Sequence, residues 1–167
     1  EVMHYSPYNG EVKPGYMFTD TGFWDTFRCL FPFLNLVYPS MSVMMQEGLV
    51  NAYNESGFLP EWASPGHRGC MVGNNSASIV ADAYMKGLRG YDIDKLWEAV
   101  KHGANSVHPQ VSSTGRAGYE LYNKLGYVPC DKLSQSVART LEYAYDDWCI
   151  YTMGQALGRP SKEIKVY

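Results

Sequence analysis

Several things are missing from this sequence, and each absence removes a class of function. No stretch approaches the roughly 20 consecutive apolar residues that a membrane-spanning helix needs. Basic residues do not dominate: 14 Lys and Arg stand against 17 Asp and Glu, a formal charge of −3, which argues against a nucleic-acid footprint. A protein partner with a basic surface remains compatible with that balance. The four cysteines, Cys29, Cys70, Cys130 and Cys149, include no Cys-x-x-Cys pair, so neither a zinc knuckle nor a dense disulfide framework is indicated. Cys29 and Cys149 fall in helical patterns and read as buried free thiols. His4, His67, His102 and His108 have no metal-ligand spacing, so no metal ligand is assigned in this chain. Glycine-rich phosphate loops and the Gly-x-Ser-x-Gly elbow are absent. No segment alternates long enough to be a convincing strand.

Aromatic residues are abundant: 14 Tyr, 6 Phe and 4 Trp, or 14% of 167 residues. Flat rings with a polar handle suit a sugar-binding cleft, and they suit a tightly packed helical core equally well. Length alone suggests one domain of ordinary size. Residues 1–21, with Pro7, Gly10, Pro14 and Gly15 among tyrosines, read as an irregular, aromatic-rich lead-in.

Helical spacing then takes over. Thr21 can cap a segment with Trp24, Phe27, Phe31 and Leu34 on one face, which Pro32 ends or kinks. Pro39 opens a second helix, with Met41, Met44, Met45, Leu49, Ala52 and Tyr53 on one side, that stops near Gly57. Residues 57–74 form a long loop without a period, the kind usually functional or disordered, and its aromatics argue against disorder. Further helices are expected over about 75–86, about 92–102, and from a Thr114 cap to Leu125. The last starts from an Asp131 cap and runs to Gly158, with Leu133, Val137, Leu141, Ala144, Tyr145 and Trp148 as its inward stripe. The fold class is all-α.

Three groups of residues could carry chemistry. Glu61, beside Trp62 and shortly before His67-Arg68, could be a general acid with its charged form disfavoured by the indole, or a surface carboxylate paired with Arg68. Trp24 could floor a sugar ring while Asp25 accepts from vicinal hydroxyls, steadied by Arg28 one turn later. The plainer reading is a core Trp followed by a first-turn Asp that the helix dipole favours. Asp146-Asp147-Trp148 places two carboxylates inside a long helix, where one must approach the apolar stripe, so bracing is the expected role.

Together, several strings resemble glycoside hydrolase family 92, the calcium-dependent exo-acting α-mannosidases of bacteria. They are Gly22-Phe-Trp-Asp-Thr-Phe-Arg28, Gly57-Phe-Leu-Pro-Glu-Trp62, Cys70-Met-Val-Gly73, Ile79-Val-Ala-Asp-Ala-Tyr84, Tyr122-Asn-Lys-Leu-Gly-Tyr-Val-Pro129 and Arg139-Thr-Leu-Glu-Tyr-Ala-Tyr-Asp-Asp-Trp148, in the family's order.

The resemblance implies an N-terminal β-sandwich followed by an (α/α)6-barrel catalytic domain that removes terminal α-linked mannose from mannosides or N-glycans with inversion. About half of the barrel's helices fit in this chain. Residues 22–160 would be the partial barrel, and 161–167 a tail leading to the missing C-terminal half. The family's general acid and general base lie in later motifs that do not occur here, so no catalytic residue is assigned in the chain. Trp24, Asp25, Arg28, Glu61, Trp62 and His67 become expected substrate-pocket residues, and Asp146, Asp147 and Trp148 structural or pocket-bracing ones. Ca2+ would contact the sugar's vicinal hydroxyls through ligands mostly outside this chain. Partners would be α-mannoside glycans, with no nucleic acid and no membrane span, and the location secreted, periplasmic or cell-surface. With its natural neighbours absent, one side of the helical layer should be apolar and incompletely covered. Two rival readings are a non-catalytic helical carbohydrate-binding or interaction module and a diverged helical-barrel glycosidase acting on another sugar.

Overall fold

The computed structural model describes residues 1–167. Its helices are α1 (Phe23–Thr26), α2 (Leu30–Val37), α3 (Pro39–Ser56), α4 (Ser76–Met85), α5 (Ile93–Ala104), α6 (Tyr119–Leu125), α7 (Ser136–Ala156) and α8 (Ser161–Ile164). The only sheets are two antiparallel pairs, β1 (Met3–Tyr5) with β2 (Val12–Pro14) and β3 (Thr21–Gly22) with β4 (Trp62–Ala63). The all-α expectation therefore holds, with small ladders serving as clips. No helix is long and apolar enough to cross a membrane.

Local chemistry explains most of the boundaries. Pro39 opens α3 at a position where its missing N–H costs nothing, and Gly57, at φ +79°, closes it in the left-handed region. Asp92 caps α5 by accepting from the Lys95 N–H. The expected first helix is two pieces: α1 ends at Thr26, and Pro32 falls within the first turn of α2 rather than breaking a longer helix. Thr21 is not its cap, because that residue belongs to β3. Thr114 and Asp131 cap nothing either, since α6 starts at Tyr119 and α7 at Ser136.

At the centre lies α4, with Ser76 through Ala81 and Ala83 all buried. A helix covered on nearly every side is the middle of a layer, and its chief neighbour is α7. Ile79, Val80, Leu96, Val100, Ile150 and Met153 from α4, α5 and α7 are almost fully enclosed and form the core. The lead-in is pinned by His4, whose ring hydrogen-bonds Glu55 at 2.8 Å and the Gly15 carbonyl at 3.0 Å. Within residues 161–167, Ser161–Ile164 form α8, which sends Ile164 into the core.

One expected face is reversed, and two other expectations hold in part. The stripe on α7 points outward, leaving Val137 72%, Leu141 66% and Trp148 59% exposed, while Tyr143, Asp146, Cys149 and Ile150 face inward. Cys29 is exposed whereas Cys149 is buried, and all four cysteines are free. On α3 the buried set includes Ser42 and Gln46, and Met41 is exposed. The exposed apolar side expected of the layer is present, along α7 and on α2, where Phe33, Leu36 and Val37 are uncovered.

Candidate functional site

The β3–β4 ladder decides where the site forms. Gly22 pairs with Trp62 and Thr21 with Ala63, and the Phe23 N–H donates to the Glu61 carbonyl at 3.0 Å. Two motifs forty positions apart in sequence thereby become neighbours. Gly22 is required for space: its φ is an ordinary −108°, but a Cβ there would lie 2.0 Å from the Trp62 indole nitrogen. Trp62 is in turn covered by the Arg68 guanidinium, 5.0 Å from its ring centre.

Trp24, two residues past Gly22, is half-buried and donates its indole N–H to Glu142 Oε1 on α7 at 3.2 Å. Arg28 reaches the same oxygen at 3.0 Å. Its guanidinium also lies 4.7 Å from the Trp24 ring centre and 4.4 Å from that of Phe27. Arg28 therefore steadies Trp24 and not Asp25, as had been expected. Asp25 is exposed and makes no side-chain hydrogen bond or ion pair, leaving its carboxylate available for hydroxyl donors. Beside Arg28 and Glu142 runs an open groove of about 470 Å³ lined by Phe27, Pro32, Leu141 and Tyr145.

Glu61 lies beneath this surface rather than on it. It is 5% exposed, accepts the Ser76 N–H at 2.9 Å and the Ser76 hydroxyl at 2.6 Å, and so caps α4 from a distant loop. Burial pushes its carboxyl well above the usual range despite those two bonds. The His67 ring packs 4.7 Å from Tyr8 and 5.0 Å from His108, with Nε2 3.0 Å from Ser56 Oγ. Burial, then the nearby His108, lowers its pKa to about 4.

The two adjacent aspartates join a buried polar network with Asn74 and Arg116. Asp146, wholly buried, accepts the Asn74 N–H at 2.9 Å. Asn74 Oδ1 takes the Nε–H of Arg116 at 2.9 Å, and Arg116 Nη2 meets Asp147 Oδ1 at 2.7 Å as an ion pair. Arg116, itself 1% exposed, packs over Tyr122 and Tyr143. Burial raises Asp146 to about 8, with Arg116 and the Asn74 N–H pulling the other way. Trp148 is exposed and stacks on Tyr145 at 5.9 Å.

Sequence reasoning missed Glu142 and Arg116. Their partners Trp24 and Asn74 lie far away along the chain; the available signals were the place of Glu142 inside the Arg139–Trp148 string and the lone charge of Arg116 among small residues. The carboxylates do not make a calcium site either. No three His, Cys, Asp or Glu side chains are grouped for a metal, and Glu61, Glu142, Asp146 and Asp147 each already face a protein donor.

The whole chain, residues 1–167, matches the glycosyl hydrolase family 92 catalytic domain; the protein belongs to that family. Among solved structures it is similar to a family 92 inverting mannosidase from Bacteroides thetaiotaomicron VPI-5482, with 50% identity and a TM-score of 0.93 over 99% of this chain and 23% of that one. A family 92 α-mannosidase from Bacteroides thetaiotaomicron in complex with mannoimidazole is 30% identical, with a TM-score of 0.84, over 98% of this chain and 21% of the other. A protein described as an uncharacterized secreted glycosidase of Arthroderma benhamiae is 31% identical over 121 residues, which is 66% of this chain and 16% of that protein. The chain thus spans less than a quarter of the length of these relatives, and its helices are part of the family's helical catalytic barrel.

Proposed function

We propose that this chain is one wall of the substrate pocket in an exo-acting α-mannosidase that works with inversion and calcium. The observation that carries the proposal is the joint placement of Trp24, Asp25 and Arg28. A ring held by one hydrogen bond and covered by the Arg28 guanidinium stands beside an unengaged carboxylate at the meeting point of two family motifs. A flat indole offers the apolar face of a hexose a surface to lie on, and a free carboxylate accepts paired hydroxyls. Trp62, locked over Gly22, extends the same wall. Glu61, Asp146 and Asp147 hold the loops behind it, and His67 holds the side of the long loop. The similarity to mannosidases supports mannose as the sugar.

Hydrolysis with inversion needs an acid and a base about 6.5–9.5 Å apart with water between them. Glu61, Glu142, Asp146 and Asp147 are each engaged by protein donors, and the acid and base come from elsewhere in the whole protein. Calcium, likewise, is held mostly by residues outside this chain. The isolated 167-residue chain does not hydrolyse mannosides. The relative described as secreted supports a secreted, periplasmic or surface location.

A panel of aryl glycosides given to the full-length protein, with and without a calcium chelator, tests this reading. The expected result is turnover of α-mannosides alone, β-mannose as the first anomer seen by NMR, loss of rate on chelation, and none of this from the isolated chain. Preferred turnover of another sugar, or chelator-sensitive turnover by the isolated chain, would overturn it.

A further inference from the structure

We infer that Glu142 is a positioning residue, setting the angle of the Trp24 ring and the place of the Arg28 guanidinium in the sugar-facing wall; this rests on the pocket reading above. A single oxygen, Oε1, takes both donors, at 3.2 Å from Trp24 and 3.0 Å from Arg28. The Glu142 side chain is 14% exposed and that of Arg28 45%, so the ion pair is shielded on its carboxylate side and open to solvent on the other. An exposed pair would do little. A half-sheltered carboxylate accepting two donors can fix two side chains at once.

Glu142 is itself held from behind. Gly73, at φ +91°, lies so close that a Cβ on it would stand 3.0 Å from Glu142 Cβ and 2.6 Å from Asn75 Nδ2. One helical turn beyond Glu142, Asp146 takes the Asn74 N–H. The loop at residues 73–74 therefore fixes two successive turns of α7, and α7 transmits that position to Trp24 through Glu142. With the carboxylate removed, Arg28 would keep only its ring contacts with Trp24 and Phe27, and the indole N–H would lose its acceptor. Asp25, between them, would lose its two fixed neighbours.

Full-length enzyme carrying Glu142→Leu, Glu142→Gln, Trp24→Phe and the double variants tests the role, with kcat and KM measured on an aryl α-mannoside. Glu142→Leu is expected to lower kcat/KM about tenfold, chiefly through KM, as befits the loss of charge-assisted bonds that shape the bound ground state. Glu142→Gln, which keeps an acceptor for the indole but loses the charge, is expected to fall between. Trp24→Phe has no N–H to orient, so on that background the Glu142→Leu effect should shrink to about threefold or less.

A merely structural glutamate would lower the active fraction, reducing kcat with KM unchanged and by the same factor on both backgrounds; that pattern overturns the role. Should Glu142→Leu fail to fold, the isosteric Glu142→Gln carries the same comparison. Unchanged kinetics in Trp24→Ala and Asp25→Ala would instead overturn the pocket reading and the positioning role with it. Impaired Trp24→Ala and Asp25→Ala with uncoupled Glu142 overturns the positioning role alone.

Discussion

Replacing Arg116 by methionine keeps most of the side-chain length and deletes the charge. The guanidinium is 1% exposed, donates to Asn74 Oδ1 at 2.9 Å and faces Asp147 at 2.7 Å. Two penalties follow. Asp147, mostly buried, becomes an uncompensated carboxylate, and Asn74 Oδ1 loses its donor. Breaking a buried pair from one side costs about 3–5 kcal/mol, and the orphaned amide oxygen falls within that figure. In urea unfolding followed by tryptophan fluorescence, Arg116→Met should lose about that much, with an unchanged slope. Asp147→Asn added to Arg116→Met should recover a large part, although Asp147→Asn alone destabilises, because the cost lies in the abandoned charge. A loss below about 1 kcal/mol for Arg116→Met, or equal harm from Asp147→Asn on both backgrounds, would refute the claim that this pair braces the loop against α7.

Two further outcomes are expected. His67 has its pKa lowered to about 4 by burial and by His108, so the unfolded chain takes up its proton first. Stability from the neutral ring is complete above the ordinary 6.5 and drains away as pH falls from there toward 4. Partial exposure of the ring reduces the effect to about 2 kcal/mol. The difference in unfolding free energy from urea titration between the parent and His67→Asn should shift by that amount between pH 7.5 and 4.5, and a constant difference would contradict it. Gly22→Ala forces a methyl into the Trp62 indole without backbone strain. Overpacking of this kind costs about 1–3 kcal/mol. Melting temperature should fall and the tryptophan emission should change; an unchanged spectrum and melting temperature would mean the ladder is looser than described.

The helices themselves were legible from spacing and caps. Asp92 and Gly57 mark the start of α5 and the end of α3 by local chemistry alone. Direction was not legible for α7, because Leu141, Tyr145 and Trp148 make a good apolar stripe while Asp146 looks like a solvent residue. Periodicity says which residues share a face but not what that face meets. Here the inward face meets Asn74 and, through it, Arg116, two polar partners that make a buried aspartate tolerable. Glu61 was noticed for the right reason, an acid beside an indole, yet its partner Ser76 fifteen residues on turned it into a cap. Trp24 and Arg28 were recognisable as a pair, whereas the carboxylate that joins them, Glu142, sits more than a hundred residues away. Long-range partners of that sort are set by the packing of α4 against α7, which no local pattern encodes.

The most direct test of the sugar-facing wall is the steady-state kinetics of Asp25→Ala in the full-length protein on an α-mannoside. Asp25 carries no structural bond, so the substitution should leave the melting temperature within about a degree. If it accepts sugar hydroxyls, kcat/KM should fall about a hundredfold or more, since charged hydrogen bonds to a bound substrate are worth roughly 1.5–3 kcal/mol each and two are available. A variant with full stability and kcat/KM within twofold of the parent would contradict a substrate-binding role for this wall.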